Sequence, residues 1–267
     1  IIWFVFVGMF AISCATKKRD FSHVPGTVVH HYPASEKTYF GSPSLVRLTN
    51  GDYLASYDIF GAATNHLYQG ETGVFRSKDQ GKTWKKISTI YGAVWSSLFV
   101  HRDVLYCIGP DRPHGTIMIR KSLDGGKTWT QPTNKENGVL LTGAFHCAPM
   151  PIVEHNGRLW RPVETAHGPN MHWGKRYGAM VMSAAVDADL LKAKSWQTSN
   201  ALLFDSTYLD NKFGGWMEGN FVVDRGGKMW NFLRVHNLKT NGPEYAAMTE
   251  ISPDGKKLSF DRDKGFI

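Results

Sequence analysis

Cysteine is scarce in this chain: 267 residues carry only three. None belongs to a Cys-x-x-Cys pair or a Cys/His spacing, so no zinc or other metal site is expected, and no cofactor motif is present. Cys107 and Cys147 lie in apolar or aromatic surroundings and are expected to be buried free thiols. Long amphipathic helical patterns are missing too, which biases the fold towards all-β. Helix, zinc and ribonucleoprotein-type recognition motifs are absent, which removes a nucleic-acid partner. Acidic residues are the minority charge, 23 against 31 Lys and Arg, for a net +8. A basic surface favours acidic polymers, but charge alone names no partner.

The longest apolar run, IIWFVFVGMFAIS at 1–13, is too short for a transmembrane helix. It is uncharged and is followed by Cys14 and the polar ATKKRD, the pattern of a secretory signal. The usual basic start and an initiating Met are missing, so the leader is expected to be clipped by a few residues. The AISC string at 11–14 resembles a bacterial lipobox, which would make Cys14 a lipid anchor and the only membrane contact. The alternative is an ordinary signal with a chance Cys near its cleavage site. Either way the protein is expected to be exported, periplasmic or at the cell surface. Residues 14–37 are expected to form a linker, and 38–267 the folded domain.

What the chain has in quantity is aromatic residues at 13%, 27 Gly and 12 Pro, a composition suited to many short strands joined by tight turns. It also repeats itself. SKDQGKTW at 77–84 recurs as SLDGGKTW at 122–129, 45 residues later, with six of eight positions kept. The chemistry is that of a turn. Asp79 and Asp124 can accept backbone N–H groups, Gly81 and Gly126 supply positive φ, Ser77 and Ser122 tie the flanks, and Trp84 and Trp129 fold over as plugs. A degenerate copy runs from Ser183 through Asp189 to Trp196, and Ser252, Asp254 and Gly255 keep the turn without its Trp.

Upstream of each turn lies a second hairpin: SLVRLTNGDYLASYD, SLFVHRDVLYCIG, PIVEHNGRLWRPVE and NFVVDRGGKMWNFLRV. Pairing each hairpin with one turn gives four four-stranded units, at about 43–90, 92–132, 146–199 and 216–262. Units of this kind are blades, so the expected fold is a β-propeller of four-stranded antiparallel blades. A β-sandwich with two chance repeats is the competing reading.

Strands alternating up and down sort the loops onto two faces. The first hairpin turns and the Asp-bearing turns share one. The long segments 61–72, 131–147, 164–176 and 199–217 share the other, where function is expected to concentrate. The notable side chains fall there: His146, His167, Trp216, Glu218 and, at a strand end, Arg234 and Asp58.

The repeated turn resembles the Asp-box, or bacterial neuraminidase repeat, of the sialidase superfamily. There the box is structural, which implies no catalytic role for Asp79 or Asp124. Propellers of that group have six or more blades, so the chain is expected to be part of a six- or seven-bladed ring. True sialidases open their first inner strand with aromatic-Arg-Ile-Pro, whereas this chain has Phe40, Gly41, Ser42, Pro43. Gly41 cannot clamp a carboxylate as Arg does. The strings FGSPSL, NGDYLAS and WMEGN look more like the branch of ulvan-type polysaccharide lyases and propeller rhamnosidases. The resemblance to the lyases implies a histidine pair, for which His146 and His167, 21 residues apart, are the candidates. It also implies Arg234 as neutraliser of a uronate, with Tyr208 or Glu218 in the place of the lyase Tyr. The rhamnosidase branch carries a His where this chain has Tyr57.

The expected function is therefore cleavage of glycosidic bonds in an acidic or rhamnose-bearing polysaccharide, by a lyase or a glycoside hydrolase. An exo-sialidase and a non-catalytic glycan-binding propeller are the alternatives. Candidate catalytic residues are His146, His167, Glu218 and Arg234; candidate substrate contacts are Trp216, Tyr208 and Asp58. A carbohydrate polymer or glycan is the expected partner.

Overall fold

A computed structural model describes residues 20–167, 172–238 and 244–267. The expected leader and Cys14 lie outside the described residues. Among the described residues sixteen strands follow one another, and the only helical segments are two three-residue 3-10 turns, Ala34–Glu36 and Ala193–Ser195.

Blade 1 is a four-stranded antiparallel sheet of β1 (Tyr39–Arg47), β2 (Tyr53–Phe60), β3 (Glu71–Ser77) and β4 (Lys85–Tyr91) in chain order. Blade 4 repeats it with β13 (Phe213–Val223), β14 (Met229–Asn237), β15 (Ala246–Ile251) and β16 (Leu258–Ser259). Between them, blade 2 contains β5 (Ser97–His101), β6 (Val104–Pro110) and β7 (Gly115–Ser122). Blade 3 contains β9 (Val153–His155), β10 (Arg158–Thr165), β11 (Gly178–Ala185) and β12 (Trp196–Thr198).

The blades are bonded to each other by their cores. Leu54, Val74, Ile90, Leu98 and Cys107 pack between blades 1 and 2. Ile117, Ile119, Leu159, Val163 and Met182 join blades 2 and 3, and Trp160, Val181, Phe213, Trp216 and Leu233 join blades 3 and 4. Middle strands such as GAMVMSAA (β11) are apolar throughout because both their faces are covered.

One boundary differs from the sequence expectation. Segment 131–147, expected as a loop, contains β8 (Val139–His146). It pairs with β7 through Val139, Leu141 and Phe145, and its last two residues also pair with Glu164 and Thr165 of β10. Blades 2 and 3 therefore form one eight-stranded sheet. The crossover bends at Gly143, whose φ of +146° is open to glycine alone.

The repeated turns close as their residues dictate. In the first, Asp79 accepts the Ser77 hydroxyl at 2.7 Å and the Thr83 N–H and hydroxyl at 2.9 and 2.6 Å. Asp124 accepts the matching groups of Ser122 and Thr128 at 2.8, 3.0 and 2.7 Å. The Trp84 and Trp129 indoles, half-buried, each donate to the carbonyl of the turn glycine, Gly81 or Gly126. The fourth turn keeps the Ser252–Asp254 bond at 2.6 Å.

Candidate active site

Every blade begins with an inner strand, and two of these strands break register near their start: β1 between Gly41 and Ser44, and β13 twice, once between Met217 and Asn220. The residue in the break holds a left-handed backbone, with φ of 51° at Ser42 and 52° at Glu218. Trp95, just ahead of β5, has φ of 49°. For non-glycine residues each such conformation costs about 1–3 kcal/mol and persists only where surroundings enforce it.

The enforcement is visible. Two residues after the break, side chains stitch each inner strand to the next. Ser44 Oγ accepts the Leu98 N–H at 2.9 Å, and the Ser97 hydroxyl donates to the Met150 carbonyl at 2.7 Å. From blade 3, Glu164 Oε1 accepts the Gly219 N–H at 3.0 Å. Fully buried Arg161 donates to Ser97 Oγ at 2.7 Å and to the Ala148 carbonyl at 3.3 Å, fixing the Cys147–Met150 segment.

The result is a cavity of about 410 Å³ to which the four blades contribute one outstanding side chain each: Ser42, Trp95, His146 and Glu218. Two charged arrangements dominate it. His146, 3% exposed, places Nδ1 2.9 Å from Oε2 of Glu164, which is wholly buried. The pair is stacked on Tyr177 (4.6 Å, 25°) and meets Trp95 edge-on at 4.7 Å. With Nδ1 engaged by the carboxylate, Nε2 is the nitrogen left to act on a ligand. Glu218, in turn, is gripped by Arg234 in a bidentate pair, Nε to Oε2 at 2.6 Å and Nη2 to Oε1 at 2.9 Å.

Two further groups stand beside it. Asp58, 3% exposed, accepts the Thr72 hydroxyl at 2.9 Å and the Trp95 N–H at 2.6 Å. Burial pushes its carboxyl up to about 7, against the opposing pull of those bonds. His114 lies 2.7 Å from the Tyr177 hydroxyl, and burial, with the nearby Arg176 charge, lowers it to about 4. Both thiols are inert: burial raises Cys107 and Cys147 to about 11.

The sequence candidates fare unequally. His146 and Glu218 line one cavity, and Arg234 is bound to Glu218. His167 is exposed and is not paired with His146. Its Nε2 accepts the Ala144 N–H at 2.8 Å, so it braces the bend beside Gly143. Trp216 offers no platform to a sugar: it is fully buried, donates to the Leu203 carbonyl and packs on Phe213, Phe260 and Phe266. Tyr208 belongs to that same aromatic cluster. Asp58 lies behind Trp95, holding its backbone, and reaches an adjoining cavity.

Glu164, Trp95, Tyr177 and His114 escaped the sequence reading. One signal was available for Trp95. Aligning GSPSL, VWSSL and MEGNF puts Ser42, Trp95 and Glu218 in one column, two residues before Ser44 and Ser97 in the first two and one before Gly219 in the third. Glu164 sits within the apolar run WRPVETA and gives no such sign. Gly41 also gains a reason: a Cβ there would stand 3.0 Å from the Phe60 ring, which would have to shift to admit any larger residue.

No family model and no curated protein matches the sequence. Solved structures do share its fold. An α-L-arabinanase of Penicillium chrysogenum, solved with arabinobiose, superposes with a TM-score of 0.52 at 16% identity, covering 81% of this chain and 64% of its own. An α-L-arabinofuranosidase of Lactobacillus brevis gives 0.54 at 15%, covering 83% and 77%. A protein of unknown function from Dyadobacter fermentans gives 0.57 at 18%, covering 86% and 70%. The chain thus spans roughly two thirds to three quarters of the length of these structures. Fold and site together define a β-propeller whose blades converge on a cavity bearing paired acid–base groups.

Proposed function

We propose that the chain is the catalytic propeller of an exported glycoside hydrolase. The observation that carries this reading is the convergence of one side chain per blade on a single cavity, with a carboxylate, Glu218, opposite an imidazole held by a buried carboxylate. Hydrolysis of a glycosidic bond needs one group to protonate the leaving oxygen and another to activate water or attack the anomeric carbon. Glu218 supplies the carboxylate, oriented by Arg234. His146, kept in one tautomer by Glu164, supplies the second proton-transfer site at Nε2. The named glycosidases of similar fold support this reading over a binding-only propeller, which has no use for a buried acid–base pair. The apolar leader at 1–13 supports export, and a lipid anchor at Cys14 remains part of the proposal.

Pentose-containing oligosaccharides are the first substrates to test, beside rhamnose-bearing and uronate polymers suggested by Arg234 and the sequence resemblance. Reducing ends released from one of these by the wild-type protein, and lost in Glu218→Gln, would support hydrolysis. Unsaturated, ultraviolet-absorbing products would show a lyase instead. Release of sialic acid would restore the sialidase reading, and full activity in the variant would remove Glu218 from the chemistry.

A further inference from the structure

Beside the central cavity lies a second one of about 420 Å³, between blades 1 and 2. The two share Ser42 and Trp95, so they are neighbouring compartments of one groove. Their linings differ. Among the described residues, the second is walled by Phe60, His66, Leu67, Pro113, His114 and Trp173, with Asp58 as its one carboxyl group and neither Lys nor Arg in its lining. Trp173 is 47% exposed and Phe60 37%, although both rings are large enough to repay burial. Trp173 is held on edge by His114 at 6.0 Å, by His146 at 5.7 Å and by Tyr177 at 5.2 Å, so it is fixed while partly open. It therefore stands where the two compartments meet.

We propose that this compartment is a second glycosyl subsite, taking an uncharged sugar ring stacked on Trp173, next to the unit whose bond is cleaved. The inference rests on the glycosidase reading and adds the substrate's length and charge. A sugar ring offers an apolar C–H face to an aromatic wall and hydroxyls to a few polar groups, here Ser42 and the His66 ring. A uronate or sialate would bring its carboxylate beside Asp58 with no lining cation to receive it, at the full cost of desolvation. Arg234 stands on the Glu218 side, and Arg176, near His114, is not among the residues that line the compartment.

The test is titration calorimetry on the full chain with neutral trisaccharides (arabinotriose, xylotriose) and with trigalacturonate, using wild type, Trp173→Ala and Glu218→Gln. At least one neutral trisaccharide should bind at millimolar concentration or better, with Trp173→Ala about tenfold weaker and equally folded by thermal melt. Trp173→Ala should weaken binding to the same extent in the Glu218→Gln background, whether or not the protein turns the ligand over. Loss of turnover as the proposed function predicts is therefore scored apart from loss of the subsite. Equal binding by wild type and Trp173→Ala overturns the inference. So does tighter binding of trigalacturonate with the same dependence on Trp173, or no binding of any neutral trisaccharide. Should Trp173→Ala unfold, Trp173→Phe keeps a ring and should retain most of the affinity, whereas Trp173→Leu should lose it.

Discussion

Glu164 and Gly219 are 55 residues apart in the chain, yet the Glu164 carboxylate accepts the Gly219 N–H at 3.0 Å while its other oxygen holds His146 at 2.9 Å. One buried side chain thus fixes the imidazole of blade 3 and the strand break that carries Glu218 in blade 4. The relative position of the two proposed reactive groups depends on it.

Replacing Glu164 by Ala leaves the Gly219 N–H and the His146 Nδ1 proton without a partner in a water-free place. Each orphaned group costs about 1–3 kcal/mol, so urea unfolding should show a loss of at least about 2 kcal/mol. Glu164→Gln can still accept one of these hydrogen bonds and should recover much of the stability. Cleavage should nevertheless fall, because an amide stabilises an imidazolium poorly. Activity equal to wild type in Glu164→Gln would make the pair structural.

Arg234 is more than half exposed and Glu218 nearly a third, so their ion pair is screened. Such pairs contribute about 0–1 kcal/mol to folding. Arg234→Ala should therefore unfold at nearly the wild-type temperature, while kcat/KM falls by about a hundredfold as Glu218 loses its orientation. A large loss of stability with activity retained by the folded fraction would assign the pair to scaffolding.

Asp58 carries a carboxyl whose folded pKa, about 7, is above the ordinary 3.8. Between those values the folded protein binds more protons than the unfolded chain, so stability falls as pH rises. The contribution is complete below about pH 4 and lost as pH passes 7, and three units correspond to roughly 4 kcal/mol. Urea unfolding from pH 4.5 to 8 should show this decline in wild type. In Asp58→Asn, which keeps an acceptor for the Trp95 N–H, the curve should be much flatter. Parallel curves would show that Asp58 does not titrate in this range.

The turn carboxylates behave oppositely. Hydrogen bonds from Thr83 and Ser77 lower Asp79 to about 2; Asp124, despite the burial that opposes it, is lowered to about 2 by Thr128 and Ser122. A lowered folded pKa adds stability that is present above pH 4 and disappears as pH falls through 2. Asp79→Ala and Asp124→Ala should each lower the urea midpoint at pH 7 with kcat unchanged. An effect on kcat would contradict a purely structural turn.

Much of this architecture was legible beforehand. The spacing of two Asp-bearing turns gave the blade period, because such a turn satisfies its own hydrogen bonds locally and needs no distant partner. The hairpins between them declared themselves by alternation and turn chemistry. Glu218 was legible as an acidic residue starting an inner strand, and His146 as an unusual side chain in a long segment. The edge of blade 2 was not, since β8 gains a second partner strand past Gly143 and pairing across blades leaves no local signature.

The sequence by itself determined the strands, the turns, and which face bears the long segments. Those rest on backbone preferences and contacts within a few residues. Only the tertiary structure decided that Trp216 is core and Trp173 is open, for both are aromatic residues in similar company and burial belongs to neighbouring blades. It alone brought Glu164 to His146 and Arg234 to Glu218. A carboxylate's role follows from what water it loses and which charge it meets, and both are set by strands far apart in the chain.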